Sequence, residues 1–444
     1  MTTPTNRKAI WGWYFFDWAA QPYHTLLVTF IFGPYFVSSV VGDPVLGQAL
    51  WARMMWIVGL FLALSAPVLG AIADSNGPRK PWIALFSIVY IVCAASLWMA
   101  TPGMDNITVV LLAFGTGFAA VELAQVLINA ILPTLGPREE LGRISGSGWA
   151  FGYVGGLLTL VIMLLFLAEG ENGLTLLGTP PVFGLDAAAR EGTRSVGPLT
   201  AIWYAVFLIP FFLWVPDVVH KSNAGGAIMK GLRELKETLA NLPNNTSLAA
   251  YLGSSMFYRD ALNGLYTFGG IYAAGVLGWS VTQIGIFGIV AIVTGAIFSW
   301  LGGYADQKYG PKMVITCAVI ALIIVCTLII GTSRSTFFGA VLSEGSTFPD
   351  SLFMFCGAVI GGAGGILQAA SRTMLVHQAE PNRVTEAFGL YALSGRATAF
   401  LAPALIDLVT TLTSNQRLGL TPVILLFMIG LALLFWVRSA EEYR

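Results

Sequence analysis

Long apolar runs follow one another along the chain, interrupted at intervals by short charged or Gly/Pro-rich turns. A helix needs about 20 apolar residues to cross the hydrocarbon core of a bilayer. Stretches of that kind fall at 10–40, 50–73, 81–101, 106–134, 144–168, 199–216, 247–276, 282–305, 313–332, 351–377, 384–411 and 418–438. The pattern predicts an all-α integral membrane protein with twelve transmembrane helices. Between 217 and 246 the spacing changes, with Ile228, Leu232, Leu235, Leu239 and Leu242 recurring every three or four residues among Lys230, Arg233, Lys236 and Glu237. This reads as an amphipathic helix on the membrane surface, or more simply as a tether. It divides the chain into an N-terminal six-helix bundle (1–216), a cytoplasmic linker (217–246) and a C-terminal six-helix bundle (247–444). The Gly-, Pro- and charge-rich stretch 169–198 reads as a surface loop.

The two bundles echo each other. "GAIADSNGPRK" (70–80) and "GGYADQKYGPK" (302–312) write one small turn twice: a Gly, an Asp four positions on, Gly-Pro and a basic residue. "YFFDWAAQPYHTL" in the first span aligns with "MFYRDALNGLYTF" in the seventh, pairing Asp17 with Asp260. Internal duplication of this kind predicts two pseudo-symmetric halves.

Composition removes other classes. Of 444 residues, 56% are hydrophobic and 10% charged, against about a quarter charged in soluble domains. Mean hydropathy is +0.76, so lipid is the solvent for most of the surface. Net charge is zero, which argues against nucleic acid as a partner. Cys93, Cys317, Cys326 and Cys356 have no metal spacing or disulfide framework, and no cofactor is expected. There is no phosphate loop and no catalytic triad or carboxylate pair, so the chain does not read as an enzyme. Basic residues crowd one set of connections, including Arg7, Lys8, Arg79, Lys80, Lys308, Lys312 and Arg438, while the other set holds Arg190, Arg194, Arg334 and Arg417. By the positive-inside rule both termini are cytoplasmic, in what reads as a bacterial inner (plasma) membrane protein. The N-terminus runs straight into the first span without a cleavage pattern.

The repeated turn resembles the signature loop of the major facilitator superfamily. More narrowly, "WYFFDWAAQPYHTLLVTFIFGPYF", "LPTLGPREELGRISGSGWAFGYVGG", "FYRDALNGLYTFGGIYAAGVLG" and "EAFGLYALSGRATAFLAPAL" resemble the autophagy-type vacuole effluxer branch and its bacterial relatives. The resemblance implies an alternating-access transporter, with amino-acid export the activity associated with the fungal vacuolar members. It also implies a conformational latch at Gly70, Asp74, Arg79, Lys80, Gly302, Asp306 and Lys312. In such a latch Asp74 would meet a helix N-terminus, where unsatisfied N–H groups favour an anion. The chain departs from the superfamily in having Ser75 after Asp74, and in lacking an Arg on the fourth span.

Ionisable groups at membrane depth are costly and face a cavity or one another. Helical spacing sorts them into stripes: Asp17, Gln21 and His24; Glu122, Gln125 and Asn129; Arg259, Asn263 and Tyr266, with Asp260 beside them; Gln368 and Arg372. These lie on the first, fourth, seventh and tenth spans, which line the central cavity of a major facilitator fold. Glu122 reads as a proton or ammonium site, or equally as the partner of Arg372 or Arg396. Asp17 and Asp260 read as a matched structural pair or as substrate contacts. Arg259 reads as a carboxylate binder or as a counter-charge to Asp17, and His24 as a packed hydrogen-bonding group or a titrating one. Asp407 and Arg53, near outer ends, read as gate or interface residues.

The expectation is a monomeric secondary transporter. Its partners would be membrane lipids, a small polar or zwitterionic solute and protons. The alternatives are a lipid or amphiphile translocase of the same fold and a non-transporting receptor or scaffold.

Overall fold

The computed structural model describes residues 6–75, 78–136, 138–170, 172–217, 246–378, 391, 394–395 and 397–438. By compactness the chain falls into two units, Met1–Gly42 with Phe61–Lys236 and Asp43–Leu60 with Glu237–Arg444. Nearly all secondary structure among the described residues is helical. The amphipathic helix expected in the linker lies outside the described residues, as does Arg396.

In the first unit, α1 (Arg7–Pro22) is started by Asn6, whose Oδ1 accepts from the Ala9 amide at 3.3 Å. Pro22 has no N–H to offer the Trp18 carbonyl one turn back. That carbonyl accepts instead from Trp203 Nε1 at 3.1 Å. Beyond Pro22 the chain keeps turning as π-helix over Tyr23–Phe30 and Phe36–Val41, completing a span from Arg7 to Val41. Then follow α2 (Pro44–Ser75), α3 (Lys80–Ser96), α4 (Ile107–Ile131), α5 (Arg138–Ile162) and α6 (Val196–Phe207). The glycines of α5 let it lie directly on α1. A Cβ on Gly152 would stand 3.2 Å from the Asp17 carbonyl oxygen, and one on Gly156 2.5 Å from Thr25 Oγ1.

The connection expected to be a surface loop is anchored by a buried carboxyl. Glu169, 1% exposed, accepts from the Thr193 amide at 3.0 Å and the Thr193 hydroxyl at 2.6 Å, with Arg190 Nε 3.2 Å away. Burial pushes its carboxyl above the usual carboxylate range, against the pull of Thr193 and Arg190. Arg194 donates Nε and Nη2 to the Trp98 carbonyl at 3.0 and 2.6 Å and lies over the Trp98 ring.

The second unit holds α7 (Thr246–Leu277), α8 (Val281–Tyr309), α9 (Pro311–Gly331), α10 (Phe348–Gln378), α11 (Leu401–Thr413) and α12 (Thr421–Leu434). A small antiparallel hairpin pairs Thr336 with Val341 and Phe337 with Ala340. A capping box of Ser280 and Gln283 opens α8. The apolar run expected to be one helix over 384–411 is broken by a turn at 398–400, and α11 starts at Leu401. The opening of α2 belongs to this unit. There Arg53 and Trp56 bind Asp407 on α11, and Gln48 donates to Thr410 Oγ1 at 2.9 Å and the Gln416 carbonyl at 3.1 Å.

Among the described residues nine helices are long and apolar enough to cross a membrane. The 32-residue α7 is long enough, but Arg259, Asp260 and Asn263 dilute its apolar character. Leu401–Thr413 and Leu418–Leu434 are shorter apolar helices.

The repeated turn closes both units in the same way. Lys80 Nζ donates to the Phe212 carbonyl at 2.8 Å, and Lys312 Nζ to the Val437 carbonyl at 2.5 Å. Each cation satisfies a carbonyl near the C-terminal end of its unit's last apolar helix, where cations are favoured. Arg79 adds Nη1 to the Ala130 carbonyl at 2.5 Å, at the end of α4. Asp217 accepts from the Arg79 amide at 2.9 Å where α3 begins.

Candidate functional site

Unit 1 gathers its stripe residues. On α4, Gln125 Nε2 donates to Asp17 Oδ1 at 3.3 Å and to Asn129 Oδ1 at 3.2 Å, linking the polar faces of α1 and α4. Asp17 Oδ2 is buried without a hydrogen-bond partner among the described residues. It sits where α5 is a glycine, since a Cβ on Gly148 would come 3.0 Å from it. Seven residues on from Asp17, His24 Nε2 lies 3.5 Å from Glu122 Oε1, the imidazole 38% and the carboxylate 24% exposed. The sequence offers Arg372 or Arg396 as partner for Glu122; the partner found on its own unit is His24. Gln21 packs its Cγ over Gly156. Two carboxylates and a half-exposed imidazole therefore share one face of the unit, a set able to hold an ammonium group or pass a proton.

Unit 2 presents cations. Arg259 Nη1 donates to the Tyr391 carbonyl at 2.9 Å, and its guanidinium lies 4.0 Å over the Tyr391 ring. Any side chain at Gly395 would meet that guanidinium at 2.6 Å. No carboxylate among the described residues pairs with Arg259 or with the exposed Arg372. Tyr258 and Tyr251 fasten α7 to Ser371, the neighbour of Arg372, through its hydroxyl and its carbonyl respectively. Asn263 is exposed, Gln368 half-buried, and the Tyr266 hydroxyl sits over Gly364.

Asp260 takes a different position. It is 2% exposed, and its Oδ2 accepts from the Ala402 amide at 2.8 Å. A carboxylate there caps the first turn of α11 and suits the helix dipole.

In the repeated turn, Gly302 lets α8 approach α10, with Ile366 3.1 Å from where a Cβ would stand. Asp306 faces Thr373 and His377 on α10. The expectations for the side chains of Gly70 and Asp74 lie outside the described residues.

Sequence reasoning missed the Tyr391–Arg259 stack, the Asp217 contact and the Glu169 anchor. The three-and-four-residue helical spacing used for the stripes carries no signal for any of them, because each joins residues far apart in the chain.

A family model described as "Vacuole effluxer Atg22 like" matches residues 137–443. The chain belongs to this family. Among relatives, the MFS-type transporter YxiO of Bacillus subtilis (strain 168), itself uncharacterized, is 23% identical over 431 residues, covering 96% of this chain and 94% of that one. Autophagy-related protein 22 of Cryptococcus neoformans var. neoformans serotype D (strain B-3501A) is 22% identical over 309 residues, 66% of this chain and 52% of the fungal protein. The match thus spans about half of that fungal relative. A crystal structure of a D-xylose-proton symporter superposes with a TM-score of 0.66 at 13% identity, covering 98% of this chain and 97% of that one. The effluxer-family chain thus has the major facilitator fold and is an integral multi-pass membrane protein, and its homologues and structural neighbours are transporters rather than enzymes.

Proposed function

We propose that this chain is a secondary transporter that moves a small polar, amino-acid-like zwitterion by alternating access, exchanging a proton at the His24–Glu122 pair. Its body would be twelve helices in two six-helix bundles joined at 217–246, with both termini cytoplasmic. The observation that carries the reading is the sorting of charge: unit 1 offers Asp17 and Glu122, while unit 2 offers Arg259 and Arg372 without an acid partner among the described residues. The chain thus carries acidic groups suited to an ammonium and basic groups suited to a carboxylate, as a zwitterionic cargo would require. Such groups are retained at membrane depth where they bind cargo or ions. The family's description as effluxers supports export.

Counterflow tests the cargo. Proteoliposomes preloaded with a panel of unlabelled amino acids are expected to accumulate a labelled one, with amine-only and carboxylate-only analogues competing weakly. Equal competition by a one-charge analogue would remove the zwitterion reading, and movement of labelled phospholipid alone would replace it with the translocase.

A further inference from the structure

The turn joining α8 to α9 borders a space lined by none of the polar-stripe residues. Tyr309 ends α8, Gly310 reverses the chain at φ +77°, and Pro311 opens α9. Glycines on α10 bring it close against α8: a Cβ on Gly361 would stand 2.0 Å from the Ala291 carbonyl oxygen. Between α8 and α9, with α10 as its floor, a groove of about 580 Å³ runs past Thr294, Phe298, Met313, Cys317, Phe355 and Ala358. That volume falls within the range of about 300–1,000 Å³ typical of small-molecule sites.

The lining says what can fill it. Thr294 spends its hydroxyl on the Val290 carbonyl of its own helix at 2.8 Å, so water finds almost nothing to bond there. Phe298, Met313 and Phe355 are exposed along the groove, on three helices long and apolar enough to span a bilayer. Its side is therefore open to hydrocarbon. At the turn, Tyr309 lines the groove and Lys308 holds its Nζ 5.1 Å from the Tyr309 ring. Lys308 is exposed and has no carboxylate partner among the described residues. An aromatic ring and an exposed cation at the end of an apolar groove match the phosphate and chain of a lipid.

We infer that this groove holds one acyl chain of an anionic membrane phospholipid whose phosphate sits at Lys308. The site is independent of whatever solute the protein carries.

Native mass spectrometry of the purified full chain, with phosphatidylglycerol and phosphatidylcholine added in separate series, tests it. Wild type is expected to retain one phosphatidylglycerol through detergent exchange. Ala358→Phe, which fills the groove, weakens retention at least about tenfold, and Lys308→Gln about fivefold, the value of one surface cation. Ile324→Phe, on α9 outside the groove, leaves retention unchanged. Retention lost equally in Ile324→Phe, or equal for both lipids in wild type, overturns the proposal. A second readout on unmodified protein guards against misfolding: added phosphatidylglycerol slows alkylation of Cys317 in delipidated wild type. An unchanged Cys317 rate overturns it as well.

Discussion

Arg53 grips Asp407 with two hydrogen bonds, Nε to Oδ2 at 3.1 Å and Nη2 to Oδ1 at 3.0 Å. Trp56 Nε1 adds a third at 3.1 Å and Thr411 a fourth at 3.2 Å, so the carboxylate is saturated. Asp407→Asn removes the charge and one acceptor. The Arg53 side chain is 48% exposed, which places the expected cost at the lower end for a charged hydrogen bond, about 1–2 kcal/mol. Thermal unfolding in detergent measures it. The exchange Arg53→Asp with Asp407→Arg should recover part of the loss; a double variant no better than the worse single one would show that the pair is not the unit that matters.

Glu122→Gln keeps the shape of the His24 contact and removes the ionisable carboxyl. Uptake into proteoliposomes is expected to lose its response to an imposed pH gradient while counterflow persists. A mutant that still follows the gradient would move proton exchange to another group.

The raised carboxyl of Glu169 gives a pH dependence with a definite sign. Between the ordinary glutamate value, about 4.3, and the higher folded value, the unfolded chain has released its proton while the folded chain still holds it. Stability from this group is therefore complete at acid pH and declines as pH rises through that window. Unfolding temperatures across the weakly acid range should fall less steeply in Glu169→Gln than in wild type. Parallel slopes would assign the dependence elsewhere.

Lys80 and Lys312 make matching contacts in the two units, so matching substitutions should cost similar amounts. Lys80→Met and Lys312→Met each remove one cation from a terminal carbonyl, worth about 1 kcal/mol. Unfolding midpoints of the two variants are expected to agree closely. A large effect from only one would mean the two turns carry different loads.

What could be read from the chain follows the range over which each signal acts. The stripe on α4 was legible because Glu122, Gln125 and Asn129 repeat at helical spacing, and Asn129 does reach Gln125. The doubled turn was legible as a motif, while the carbonyls that receive Lys80 and Lys312 were not, since backbone acceptors leave no trace in side-chain identity. His24 as the partner of Glu122 depends on how α1 lies against α4, and two arginines looked equally suitable. Asp260 could not be separated from its repeat partner Asp17 before the break ahead of Leu401 was known, because the amide it caps exists only where α11 restarts. Glu169 and Thr193 meet across 24 positions of irregular chain, beyond any periodicity.

The wide turns of the first span, Tyr23–Phe30, begin one residue before His24 and six after Asp17. A π turn takes up more residues than an α turn, so the side chains beyond Pro22 leave the angular register of those before it. His24 therefore does not stand where the α spacing of Asp17 and Gln21 alone would put it.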